Sequence, residues 1–89
     1  MNSVANPRFW RCFAALPSEI QRRAQLAFRQ WQVDPNHSSL DFKRVHMSRP
    51  VYSVRIGLRW RALGVREGDT VVWFWIGSHS DYDRLLARM

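Results

Sequence analysis

Between Pro50 and Gly77 the chain runs through three short apolar-rich stretches broken by glycine-containing turns, and this pattern constrains the fold more than any other feature. Val51 to Ile56 sets Tyr52, Val54 and Ile56 against Val51, Ser53 and Arg55, the period of two expected of a strand with one buried face. Gly57 marks a turn. Arg59 to Arg66 then places Trp60 and Ala62 on one side and Arg59, Arg61, Leu63 and Val65 on the other. Glu67-Gly68-Asp69 makes a tight hairpin turn. Thr70 to Ile76 is nearly continuous apolar sequence, as in a central strand covered on both faces, and Gly77 is expected to end it. A weaker strand signal, Phe42 to His46, precedes the three.

Upstream the period changes to that of a helix. Asn6 before Pro7 resembles an N-cap with proline at the first helical position, and Phe9, Phe13 and Leu16 recur at helical spacing, so a first helix is expected over about residues 7–15. Pro17 interrupts it. Ser18 with Gln21 has the spacing of a capping box, and Ile20, Ala24, Ala27, Phe28 and Trp31 then form one apolar stripe of a second helix. Residues 34–39 are turn formers and make a loop. At the far end, Ser78 or Ser80 can cap a short helix with Asp81 and Asp83 in its first turn and Arg84 and Arg88 later, an order that suits the helix dipole. The expected architecture is α+β: two N-terminal helices on one face of a small twisted antiparallel sheet of three or four strands, a short C-terminal helix, and one open concave face. Eighty-nine residues allow a single domain, 1–89, and five Trp and five Phe supply its core.

The charge balance narrows the partners. Fourteen basic residues, all but one of them Arg, stand against seven acidic ones for a formal charge of +7, a field that attracts polyanions or an acidic protein. Guanidinium also forks onto phosphates and stacks on bases. One cysteine, Cys12, cannot form an internal disulfide, and no long apolar run or signal-peptide pattern is present, so a reducing cytoplasm with no membrane role is expected. Histidines at 37, 46 and 79 lack metal-ligand spacing, and no Gly-rich phosphate loop occurs. His37 and His46 read as solvated or structural.

What remains is Lys43, Arg44, Arg55, Arg59 and Arg61 on adjacent strands, followed by His79 and Tyr82. Cleaving RNA through its 2′-hydroxyl needs a base, cations for the extra charge on phosphorus, and an acid for the leaving oxygen, and Arg, His and Tyr can fill those roles. Arg59 and Arg61 share strand parity and emerge about 7 Å apart, a spacing suited to phosphates or to an ordinary solvated strand face. His79 can move a proton near neutral pH or simply close the turn into the last helix. Tyr82 can stack on a base or pack its ring on the sheet edge.

The stretches from Val51 to Gly64 and from Val72 to Asp83, together with Leu16-Pro17, Asp34 to Leu40 and Phe42-Lys43, resemble toxins of the RelE/ParE superfamily over nearly the whole chain. The resemblance implies the toxin of a type II toxin–antitoxin system, an endoribonuclease that cleaves messenger RNA on the ribosome without a cofactor. In the RNA-cleaving branches an Arg on the strand after the central hairpin holds the scissile phosphate, a position matched by Arg61, and a His after the last strand is matched by His79, with a setting similar to the YafQ-like branch. Arg55 is expected to assist Arg61, while Lys43, Arg44, Arg59 and Tyr82 are expected to touch RNA. A cognate antitoxin with an acidic segment would cover the basic face and form an oligomer with the chain. Two alternatives stay open: a ParE-like inhibitor of DNA gyrase without catalytic residues, and a non-toxic nucleic-acid-binding module. Two departures from the family pattern are expected. Residues 1–6 offer only Val4 and Ala5 to an N-terminal strand, which is therefore missing or reduced, and the Tyr beside the family's His is displaced to Tyr82.

Overall fold

The structure is a computed structural model that describes residues 1–89. In chain order it contains β1 (Asn2–Ala5), α1 (Pro7–Ala14), α2 (Ser18–Val33), a 3-10 turn (Ser38–Leu40), β2 (Lys43–Arg44), β3 (Val51–Arg55), β4 (Trp60–Glu67), β5 (Thr70–Ser78) and α3 (His79–Arg88). The Asn6 side chain accepts the Phe9 amide at 3.0 Å with Pro7 behind it, so α1 starts as its sequence requires. The expected capping box does not form. Pro17 occupies the cap position and makes no side-chain bond, and Gln21 instead donates to the Phe13 carbonyl at 3.0 Å, tying α2 to α1.

The sheet has five strands in the order β1-β5-β4-β3-β2, one more than the largest number expected. It is mixed. β1 lies parallel to β5, with Asn2 opposite Thr70 and Ala5 opposite Trp73, whereas every other pair is antiparallel. The N-terminal strand is thus present, held by its backbone ladder rather than by burial of Val4, which stays half exposed. β5 also runs past Gly77 to Ser78, so that glycine lies inside the strand.

Under α1 and α2 the sheet presents Val54, Ile56, Ala62, Val71, Trp73 and Ile76 to Phe9, Leu16, Ile20, Ala24 and Trp31. Each large apolar side chain among them stabilises the fold by about 1.5–3 kcal/mol when fully buried. Trp31 meets Trp73 edge to face with ring centroids 5.4 Å apart, the geometry that aromatic quadrupoles favour.

A bulge between Leu63 and Gly64 decides what the other face carries. Leu63 pairs with Trp75 and Gly64 with Trp73, so Phe74 is the extra residue of β5. Without it, residues 71, 73, 75, 77 and 79 would share one face. With it, Trp73 packs under the helices while Trp75 joins Val51, Leu63 and Tyr82 on the opposite side. Gly64 makes this possible: a Cβ there would overlap Val71 Cγ1 and sit 2.8 Å from Trp73 Cε3. α3 lies over this second face through Tyr82, Leu85 and Leu86, so the face is not the open concavity its sequence implies. The end near Arg55 and Arg61 stays partly exposed. No helix is long and apolar enough to cross a membrane.

Candidate active site

The partly exposed end is built by three neighbouring strand ends. Arg55 at the close of β3 stands directly opposite Arg61 in β4, and Arg61 stands opposite Gly77 in β5. Side chains of directly opposed residues leave one face of a sheet about 5 Å apart, so the two guanidinium stems start side by side. The chain then leaves β5 at Ser78, and the His79 amide donates to the Arg59 carbonyl at 2.7 Å. That bond fixes the first residue of α3 against the β3–β4 turn. The Ser78 hydroxyl accepts the Asp81 amide at 3.2 Å and caps the helix, so Ser78 rather than Ser80 fills that role.

Gly77 keeps the floor low. Its position is covered by the indole of Trp75, and a Cβ would meet Trp75 Cζ2 at 2.5 Å. No side chain of β5 therefore rises directly opposite Arg61.

Neither Arg55, Arg59 nor Arg61 has a carboxylate partner; the four ion pairs of the chain are Arg23–Glu19, Lys43–Asp41, His79–Asp83 and Arg84–Asp81. Arg55 donates through Nε and a terminal nitrogen to the Ser39 and Ser38 carbonyls, at 3.1 and 3.4 Å. Arg61 turns one terminal nitrogen to the carbonyls of Gly57, Leu58 and Trp60, the last at 2.8 Å, which leaves its Nε and second terminal nitrogen free of protein partners. Arg59 is exposed beside them. The result is a local surplus of positive charge with donors to spare, the requirement for holding a phosphate.

His79 is partly exposed, with its Nδ1 3.1 Å from the Asp83 carboxylate and its ring 5.6 Å from the ring of Tyr82. Asp83 is a member of this site that sequence reasoning passed over, having taken it as a charge suited to the helix dipole. The spacing of four residues from His79 on a helix was the available signal.

The remaining expected residues divide. Lys43 lies on the same face as Ser53 and Arg55 by its pairing with Ser53, but it is exposed on the edge strand and held at 3.2 Å by Asp41. Arg44 pairs with Tyr52 and so falls on the opposite face, where it donates to the His46 and Met47 carbonyls, away from Arg61. Tyr82 corrects a further expectation. Its ring is packed in the sheet–α3 core at 8% exposure and its hydroxyl points to Ser53 Oγ at 3.5 Å, so it supports His79 from below and offers no free face to a base. His46 has both ring nitrogens engaged, by the Arg49 and Ser48 amides and by the Met89 carbonyl, in keeping with a structural part. Arg55, Arg61 and His79 are all partly exposed. Two cavities lie elsewhere, one of about 400 Å³ between β1, α1 and α2 and one of about 360 Å³ around Arg8, Arg49, Val65 and Leu85.

Comparison with known proteins gives a consistent picture. A family model described as a ParE-like toxin domain matches residues 18–84. Among solved structures, the chain is similar to that of a RelB–RelE antitoxin–toxin complex from Methanococcus jannaschii, at 22% identity and a TM-score of 0.72 over 91% of this chain and 96% of that one. It is similar to a chain of the RelBE2 toxin–antitoxin complex from Mycobacterium tuberculosis, at 20% identity and a TM-score of 0.69 over 86% and 88%. It also resembles a YoeB/ParE toxin from Agrobacterium tumefaciens, at 13% identity and a TM-score of 0.67 over 89% and 99%. No curated protein matches it by sequence. At these identities the structural likeness establishes the fold, and the family match extends over most of the chain.

Proposed function

The chain belongs to the ParE-like toxin domain family, and from that membership we propose that it is the toxin of a toxin–antitoxin pair and cleaves messenger RNA at the Arg55–Arg61–His79 site. The observation that carries the reading is the pairing of Arg55 with Arg61 across β3 and β4, beside the strand end that delivers His79, with no carboxylate to neutralise either guanidinium. In the proposed reaction the 2′-hydroxyl of one nucleotide attacks the phosphorus of its own 3′-phosphate. The oxygen of the next nucleotide leaves, and a 2′,3′-cyclic phosphate results. Arg61 and Arg55 hold the non-bridging oxygens as charge builds on them, the kind of electrostatic stabilisation that supplies the largest share of many rate enhancements. His79 takes the proton of the attacking 2′-hydroxyl and gives it to the leaving 5′-oxygen, so that the ring ends as it began. A partly exposed site suits a polymer lying across it, and ribosome-bound messenger is the proposed substrate, in the cytoplasm.

The partner follows from the same charge. The RelE relatives from Methanococcus jannaschii and Mycobacterium tuberculosis were solved in toxin–antitoxin complexes, which supports a cognate antitoxin here. An acidic segment of that protein would occupy the site in place of phosphates, and such a complex should weaken as salt rises.

Primer extension on transcripts after induction of the chain in a bacterium tests the reading. Discrete new 5′ ends should appear with the wild-type chain and vanish with Arg61→Ala and with His79→Ala. Growth arrest with intact transcripts would instead favour a gyrase inhibitor, and unimpaired growth would count against any toxin.

A further inference from the structure

We infer that Asp83 is a positioning residue that holds the His79 imidazole as the Nδ1–H tautomer and thereby makes Nε2 the atom that exchanges a proton with substrate. The inference rests on the nuclease reading for its consequence, but its structural part stands on the contacts of α3 whatever the chain cleaves.

An ionised carboxylate can only accept hydrogen bonds, so the 3.1 Å contact between Asp83 and Nδ1 requires a proton on Nδ1. A neutral ring then carries its lone pair on Nε2. Two other contacts restrict how the ring can answer. The His79 amide is bound to the Arg59 carbonyl at 2.7 Å, which fixes where the side chain begins. The ring lies 5.6 Å from Tyr82 at an interplanar angle of 71°, so its edge rests against a buried aromatic that is itself aimed at Ser53. Nε2 has no partner in the protein, while His46 and His37 spend Nδ1 as an acceptor of backbone amides. Of the three histidines, His79 is thus the one whose Nδ1 faces a carboxylate.

The other charges of the helix do not compete for this role. Asp81 is engaged by Arg84 and by the Ser78 cap, which leaves Asp83 without any cation but His79. Both partners are partly solvated, and an exposed pair four residues apart contributes little to folding. Its value lies instead in orientation: a carboxylate behind the second nitrogen fixes the tautomer and the ring plane, a device shared by hydrolytic triads and by histidines that bind metals. With Nδ1 tied, Nε2 can accept the 2′-hydroxyl proton when the ring is neutral or deliver a proton to the leaving oxygen when it is charged.

Long-range proton–nitrogen correlation spectra of the full, nitrogen-15-labelled chain test the pairing directly, recorded at a pH where the rings are neutral. The wild type should show the Nδ1–H tautomer at His79, Asp83→Glu should keep it, and Asp83→Ala should relax it toward the mixture of an unheld imidazole. Cleavage of ribosome-bound messenger should fall about tenfold in Asp83→Ala, the lower end of what losing a group that orients a histidine costs, and recover in Asp83→Glu. Combining Asp83→Ala with His79→Ala should add nothing to the loss of His79→Ala alone. A wild-type His79 that is Nε2–H, or a tautomer unchanged by Asp83→Ala, would overturn the inference whatever the chain cleaves. A held tautomer in a chain that cuts no RNA would uphold the pairing and overturn the nuclease reading instead.

Discussion

On the face under α1 and α2, Trp31, Trp73, Phe28 and Phe42 meet edge to face, and no charged side chain is buried among them. The face under α3 is divided. Val51, Leu63, Trp75 and Tyr82 pack at its centre, and at one end the packing stops and Arg55, Arg61 and His79 take over. The contrast teaches that the first side is apolar throughout whereas the second joins a packed centre to a charged end, and that the Leu63–Gly64 bulge connects them by sending Trp73 to one side and Trp75 to the other.

If the helix side supplies stability, the largest effect should come from emptying it. Trp31→Ala should lower unfolding free energy by about 3–5 kcal/mol, measured by urea titration, a large share of the roughly 5–15 kcal/mol typical of a domain. A loss below about 1 kcal/mol, the size of an ordinary surface change or less, would break the comparison on that side.

The bulge comes next. Gly64→Ala puts a methyl group against Val71, Trp73 and the Val72 carbonyl, two rigid side chains and a backbone atom, and should cost about 1–3 kcal/mol as an overpacked site. The amide resonances of Gly77, Ser78 and His79 should shift with it. Unmoved resonances would mean that the bulge does not govern how His79 is delivered.

A smaller effect is expected at the polar pair beneath the site. Tyr82→Phe removes a long, buried hydroxyl contact and should cost about 0.5 kcal/mol, the bottom of the range for a hydrogen bond, with cleavage retained. Loss of cleavage would make the Tyr82 hydroxyl a proton donor rather than a support.

How much of this could be read beforehand differs along the same division. Strand parity was legible wherever apolar and polar residues alternate, so Val54 and Ile56 were separable from Ser53 and Arg55, and Ala62 from Arg61 and Leu63. The helical stripe from Ile20 to Trp31 was legible for the same reason. β1 was not, because its four residues are held by backbone bonds to β5 and, although their exposure alternates, Asn2 and Val4 on the exposed side and Ser3 and Ala5 on the other show no matching alternation of polar and apolar types. The bulge escaped because β5 is apolar on both faces, and a one-residue slip leaves no mark in such a run. That slip decides which face carries Trp75 and Gly77 ahead of His79, so the family pattern could suggest that Arg61 and His79 meet, whereas residue spacing alone leaves the matter open. The register that puts Arg44 on the other face from Arg61 left no mark in so short a strand, and the packing of Tyr82 was not legible because a ring at helical spacing reads the same whether it packs or binds.

The smallest expected effect is on the acid side. The Asp81 carboxyl is held below its ordinary range by the Arg84 hydrogen bond first and the Ser78 bond second. A carboxyl whose folded pKa is depressed contributes stability above its unfolded value, near 3.8, and that contribution disappears as pH falls through the folded value. Asp81→Asn should therefore make the acid limb of a thermal-midpoint profile slightly shallower and leave the midpoint at neutral pH nearly unchanged, because both partners are exposed. A large change at neutral pH would show that the cap of α3 carries more of the fold than the division of faces allows.

The most direct test of the site is chemical. Ribosomes loaded with a messenger that carries a single 2′-deoxynucleotide at the cleaved position should resist the chain entirely, while the all-ribose messenger should yield fragments ending in a 2′,3′-cyclic phosphate. Cutting of the deoxy messenger, or fragments with free 3′-hydroxyls, would contradict an attack by the neighbouring hydroxyl steadied by Arg55, Arg61 and His79.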